Sequence, residues 1–333
     1  MHPDFKPLIR NAHLLTIAGN FWPRKIDTER FPARRVEYRI DARTTVVAYE
    51  HRPQGAVRGE ILFLHGLEGS ADAGYIASCA QEALTRGFAV HRLNARTCGG
   101  TESLCETTYH SGLTADARFV LEAIQARSPA PRFVIGFSLG GNVALKLAGE
   151  LGQTELISGV CAVSTPIDLA ACVRSMEKRA NQLYARRFLR RLRNRVVRKS
   201  RLVPETFRAA AIANVRTIWE FDDRVTAPLF GFGTAANYYA TQSASRYLEK
   251  IRVPALVVTS KDDPMVPFDI YHHPAFQSNP YLKLVATAHG GHLGFIARRK
   301  PRFWLDGVAM DWICDVANRG VNAGTKAVQF ASV

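Results

Sequence analysis

At 333 residues, with 47% hydrophobic and 22% charged side chains, the chain can bury a large core and has the composition of an ordinary globular protein. No apolar run approaches the roughly 20 residues that a membrane-spanning helix needs. The N-terminus lacks the pattern of a signal peptide, so a cytoplasmic location is the default expectation. The net charge of +15 is uneven, because nine Lys or Arg residues and no acid lie between Arg186 and Arg201. Six cysteines (Cys79, Cys98, Cys105, Cys161, Cys172 and Cys314), none in a Cys-x-x-Cys pair, point to reduced thiols and away from a zinc site.

Residues Phe5 to Arg30 are rich in proline, aromatic and basic residues without clear periodicity and read as an arm packed on the domain. Val36 to Ile40 and Thr45 to Tyr49 flank Asp41-Ala42-Arg43 as an antiparallel hairpin. Ile61 to Leu64 is a continuous apolar run, the mark of a strand buried on both faces, and it ends in His65-Gly66-Leu67-Glu68-Gly69-Ser70. A helix from Tyr75 to Arg86, closed by Gly87, leads to a strand at Phe88 to Leu93. A second helix runs from Leu113 to Arg127, with Ser111 or Thr114 as cap, before a strand at Phe133 to Phe137. Val160 to Ser164, Ala255 to Thr259 and Leu282 to Ala286 complete the strands, and Phe303 to Val316 forms the closing helix. Strands alternating with helices imply crossovers and a mostly parallel central sheet with helices on both faces. From Pro166 to Lys250 the pattern is helical without a buried strand, which predicts an insertion over the carboxyl edge of the sheet. The expected organisation is a core of residues 1–166 and 251–333, including an arm at 1–34, with a helical cap at 167–250.

The stretch Gly136-Phe137-Ser138-Leu139-Gly140 sits between a strand and a helix, the context of a nucleophile elbow. A lone serine hydroxyl is a poor nucleophile, so a base, an orienting acid and oxyanion donors are required. In folds built around this elbow the acid and then the histidine follow the serine in the chain. Ser260-Lys261-Asp262-Asp263-Pro264 follows one late strand, and His289-Gly290-Gly291-His292 follows the next. The spacing to Val266-Pro267 selects Asp263, with Asp262 as the alternative, and the two glycines let a sharp loop project His292, with His289 as runner-up. The backbone N–H groups of Leu67 and Leu139 are the expected oxyanion donors. His65, at a strand end, is read as structural, and Cys98 as a small buried thiol in a tight loop rather than a second nucleophile. Tyr109, His110 and Asp116 are candidates to border the pocket, Asp116 being equally suited to a first helical turn.

Together with Asn11 to Thr16, Asn94 to Gly100 and Tyr109 to Asp116, these motifs make the chain resemble the YheT-like or abhydrolase-4 branch of the α/β-hydrolases, relatives of abhydrolase-domain proteins 1, 2 and 3. The resemblance covers most of the chain and implies an α/β-hydrolase fold. It also implies a Ser138, Asp263 and His292 triad and ester chemistry without metal or cofactor, on small-molecule or lipid acyl esters. The chain departs from the pattern at Thr97, where the family usually has glycine. Two alternatives stand beside hydrolysis: acyl transfer to an alcohol, and ligand binding without turnover. For Arg186 to Arg201, Leu189, Leu192 and Val196 recur at helical spacing, which reads as a solvated cap helix with an apolar stripe on the core. The sharper alternative is peripheral contact with an anionic membrane. Nucleic-acid binding lacks any recognised module.

Overall fold

The computed structural model describes residues 5–330. Its first element corrects the expectation of an irregular arm. Helix α1 (Ala12–Phe21) starts at Asn11, whose side chain accepts the Leu14 N–H at 3.0 Å, and it buries Leu15, Thr16 and Gly19. A good N-cap followed by Ala, His and two Leu is enough to start a short helix once one face is packed.

The hairpin follows as expected, with β1 (Arg34–Asp41) antiparallel to β2 (Thr44–His51). Next come β3 (Glu60–Leu64), α2 (Gly74–Thr85), β4 (Ala89–Asn94), α3 (Ala115–Gln125), β5 (Arg132–Phe137), α4 (Leu139–Leu151) and β6 (Gly159–Val163). Thr114 occupies the N-cap position of α3 without capping it, because its hydroxyl donates to Glu150 at 2.5 Å. Between β6 and β7 (Ala255–Ser260) the named elements are all helical: α5 (Leu169–Met176), α6 (Gln182–Leu202), α7 (Ile218–Phe221), α8 (Ala227–Leu229) and α9 (Ala235–Gln242), with short turns among them. The chain closes with α10 (Ala275–Ser278), β8 (Leu282–Thr287) and α11 (Trp304–Phe330). α11 continues past Val316, where the sequence pattern placed its end, since glycine costs a helix only about 1 kcal/mol and no proline stops it.

The eight strands form one sheet in the order β1-β2-β4-β3-β5-β6-β7-β8. β2 runs antiparallel to β4, and from β4 through β8 the neighbours are parallel. Period-two alternation divides each buried strand between two cores. Leu62, Leu64 and Val134 face one core with α3 and α4, whereas Ile61, Phe63, Phe133 and Ile135 face the other with α2 and α11. Each such side chain contributes about 1.5–3 kcal/mol by leaving water. The carboxyl ends of β3, β5, β7 and β8 therefore open on one edge, and every candidate catalytic residue follows one of those ends.

Candidate active site

β5 ends in a turn that forces Ser138 to φ 51° and ψ −120°, in a region costly for any residue with a Cβ. The turn closes because Gly140 has no side chain: a Cβ there would stand 2.3 Å from the Leu64 carbonyl oxygen. The Ser138 hydroxyl lies 2.9 Å from Nε2 of His292, and Nδ1 of the same ring lies 2.9 Å from Oδ2 of Asp263. Three residues from three strand ends thus form a continuous hydrogen-bonded chain. Asp263 is held in turn by the N–H groups of Met265 and Val266, which donate to Oδ1 at 2.9 and 3.0 Å.

The alternatives named from the sequence sit elsewhere. Asp262 accepts the Gly291 N–H at 2.9 Å and faces His289 Nδ1 at 3.1 Å, so this second pair braces the loop that presents His292. His65 is buried, and burial lowers its pKa to about 4. Its Nδ1 lies 2.7 Å from the Gly66 carbonyl and its Nε2 accepts the Ala95 N–H at 3.1 Å, so both ring nitrogens tie loops together. Burial likewise pushes the Cys98 thiol up to about 12, which leaves it inert at neutral pH. Asp116 takes a bidentate ion pair from Arg96 at 2.8 and 2.7 Å. His110 lines a cavity beside Ser138.

The loop after β3 reaches Ser138 because Gly66 lets it: a Cβ there would meet the Ser138 Cβ at 3.1 Å. The Gly66 N–H donates to Tyr75 Oη at 3.1 Å and the Glu68 N–H to Tyr109 Oη at 2.8 Å. Between them the Leu67 N–H has no protein partner among the described residues. Leu139 is the first residue of α4, where no helix carbonyl reaches its N–H and the helix dipole favours negative charge.

Three supports had no local signature in the sequence. Thr16 of α1 accepts the His292 N–H at 2.8 Å. Arg195 of α6 is buried and grips Glu68 with Nε to Oε1 at 2.9 Å and Nη2 to Oε2 at 3.0 Å. The same guanidinium donates to the carbonyl and, at 2.6 Å, to the hydroxyl of Thr97. That threonine has φ 62°, a left-handed conformation that glycine adopts without strain. Lys199 completes the brace on the Cys105 carbonyl at 2.5 Å. α6 therefore buries Leu189, Leu192 and Val196 as its periodicity predicts, and two cations with them.

Two spaces meet at Ser138. One is a largely apolar cavity walled by Leu169, Val173, Met176, Phe188, Ile218 and Phe221. At its wall Asp222, which accepts from Thr226 and Tyr239 at 2.6 and 2.5 Å, is raised to about 6 by desolvation. The other is an open groove between α1, α6 and the loop after β3.

Residues 60–298 match the family described as the alpha/beta hydrolase fold. The chain belongs to that family. Within it, the chain is 32% identical over 318 residues to "Putative esterase YheT" of Escherichia coli (strain K12), covering 93% of each protein. It is 30% identical to the phospholipase ABHD3 of Mus musculus over 249 residues, 74% of this chain and 61% of the mouse protein. Among solved structures, 2,6-dihydroxy-pseudo-oxynicotine hydrolase superposes with a TM-score of 0.59 at 18% identity, over 87% of this chain and 69% of the other, a likeness of fold. The α/β-hydrolase sheet and its helices on both faces are as the sequence pattern implied.

Proposed function

We propose that this protein is a serine hydrolase that cleaves carboxylic esters through an acyl-enzyme. The observation that carries the reading is the pair of 2.9 Å contacts joining Ser138 to His292 and His292 to Asp263. The relatives named as an esterase and a phospholipase agree with it. Ser138 Oγ attacks the acyl carbon while His292 Nε2 takes its proton, and Asp263 holds the ring and stabilises the imidazolium. The N–H groups of Leu67 and Leu139 receive the tetrahedral oxyanion. The alcohol leaves with the proton from His292. Water then attacks the acyl carbon, His292 again acting as base, and the acid is released. The apolar cavity beside Ser138 suits an acyl chain, and the helical stretch of residues 167–250 acts as a cap over it.

A fluorophosphonate probe should label the wild-type protein at Ser138 and spare Ser138→Ala. Equal labelling of both would remove Ser138 from the role. Turnover of nitrophenyl esters from short to long chain would then report how much of the apolar cavity the acyl group fills.

A further inference from the structure

The groove that opens on Ser138 is bordered by an apolar face left in water. On α1, Leu14, Ile17 and Phe21 recur at three- and four-residue spacing and are 53%, 46% and 63% exposed. Leu183, at the start of α6, is 79% exposed. Isolated apolar side chains on a surface are ordinary, but a helical stripe of large ones beside a site entrance marks a docking surface. The opposite side of α1 is packed, so the stripe is a defined face. α1 and α6 are joined: His13 Nδ1 lies 3.1 Å from Tyr184 Oη, and the Arg187 guanidinium lies 5.4 Å from the centre of the Phe21 ring.

Charge identifies the occupant. The groove's acids are each taken, Glu68 by Arg195, Asp72 by Arg92 and Glu102 by Arg198. Arg186, Arg187, Arg190, Arg191 and Arg193 of α6 have no acidic partner among the described residues. A second copy of this chain would set these arginines against their own kind. An anionic surface with an apolar layer beneath it matches both parts. Among the described residues no helix is long and apolar enough to cross a membrane, so attachment would be peripheral.

We propose that the outer stripe of α1, Leu183 and the α6 arginines that lack an acidic partner dock this protein on an anionic lipid bilayer. Leu14, Ile17, Phe21 and Leu183 enter the boundary between headgroups and acyl chains, and the arginines sit at the level of the phosphates. Each basic side chain near such a surface raises partitioning about fivefold, and the apolar face adds a salt-independent part. In this orientation the groove mouth faces the bilayer, and an ester drawn from it reaches Ser138 without crossing bulk water. That consequence rests on the ester-hydrolase reading; the docking itself does not.

The test uses full-length Ser138→Ala, which leaves the vesicles intact, co-sedimented with phosphatidylcholine vesicles with and without phosphatidylglycerol. Binding is expected only with phosphatidylglycerol and should weaken about tenfold or more between roughly 50 and 500 mM salt. Adding Phe21→Ser and Leu183→Ser should weaken it about tenfold at low salt. Adding Arg186→Gln and Arg190→Gln, both exposed, should do so by a comparable factor and flatten the salt dependence. These positions are exposed, so each variant should melt within a few degrees of its parent, which separates lost docking from lost folding. No sedimentation with anionic vesicles at low salt, unchanged binding of the apolar double variant, or a stable dimer dissociated by that variant would overturn the proposal. Wild-type turnover of a soluble short-chain nitrophenyl ester, measured in parallel, reports on the hydrolase reading alone.

Discussion

Asp262 and Asp263 are neighbours whose carboxylates serve different partners. Asp263 faces His292, whereas Asp262 holds the Gly291 N–H and faces His289. If Asp263 orients the imidazole, Asp263→Asn should lower kcat on a nitrophenyl ester by roughly 10³–10⁴-fold with little change in KM. Asp262→Asn should cost about tenfold or less and show mainly in the melting temperature, because it loosens a loop rather than the proton path. Equal losses in kcat would erase the distinction. The spacing of Val266-Pro267 pointed to Asp263 because the fold repeats that local turn, and the turn's N–H groups do bond its carboxylate. Ser138 and His292 were legible for the same reason, each carried on a short glycine-containing motif. Thr16, which accepts the His292 N–H from 276 residues away, was not legible, since no local pattern marks a hydroxyl whose partner is set by the tertiary fold. Tyr75 and Tyr109, which secure the loop around Leu67, were hidden in the same way, although Tyr109 stood out as a neighbour of the pocket.

α6 illustrates how periodicity reveals a face without revealing everything on it. Leu189, Leu192 and Val196 mark the buried stripe in sequence, but Arg195 and Lys199 share that face and look, as letters, like their exposed neighbours. What distinguishes Arg195 is a partner, Glu68, 127 residues upstream. Breaking a buried ion pair leaves one charge stranded. Arg195→Met or Glu68→Gln should therefore each cost about 3 kcal/mol in urea unfolding. Each should also lower kcat more than it raises KM, because the loop carrying the Leu67 N–H loses its brace. The double variant Arg195→Met with Glu68→Leu should regain part of the stability without regaining kcat. Single variants that unfold like the wild type would mean that the pair carries no weight. The helix missed in the arm, α1, is the converse case: its cap was present at Asn11, but ten residues with an exposed apolar stripe give no clean amphipathic period.

Across the whole molecule, alternation of apolar strands with helices was enough to foretell a mostly parallel sheet, because crossover connections leave few other solutions. The placement of β4 between β2 and β3 was not readable, since strand order depends on which crossover packs on which face. One buried carboxyl joins two helices that share a face of the sheet, α2 and α11. Asp306 of α11 accepts the Ser78 hydroxyl of α2 through Oδ2, Oδ1 has no hydrogen-bond partner among the described residues, and burial raises the carboxyl to about 7. Because the folded pKa lies above the unfolded value near 4, this group weakens the fold progressively from about pH 4 to about pH 7 and by a constant amount above. Asp306→Asn should thus raise the melting temperature at pH 8 and make no difference near pH 4. A variant less stable than wild type at pH 8 would refute the assignment. The bond between Thr16 and the His292 N–H has a consequence in time as well as in space. On the ribosome the threonine emerges early, and the loop it steadies is made 276 residues later. At about 5–20 residues per second the early helix waits roughly a quarter of a minute to a minute for that loop. A half-made chain, even with Ser138 already folded into its turn, therefore lacks the His292 contact on which the proposed chemistry rests.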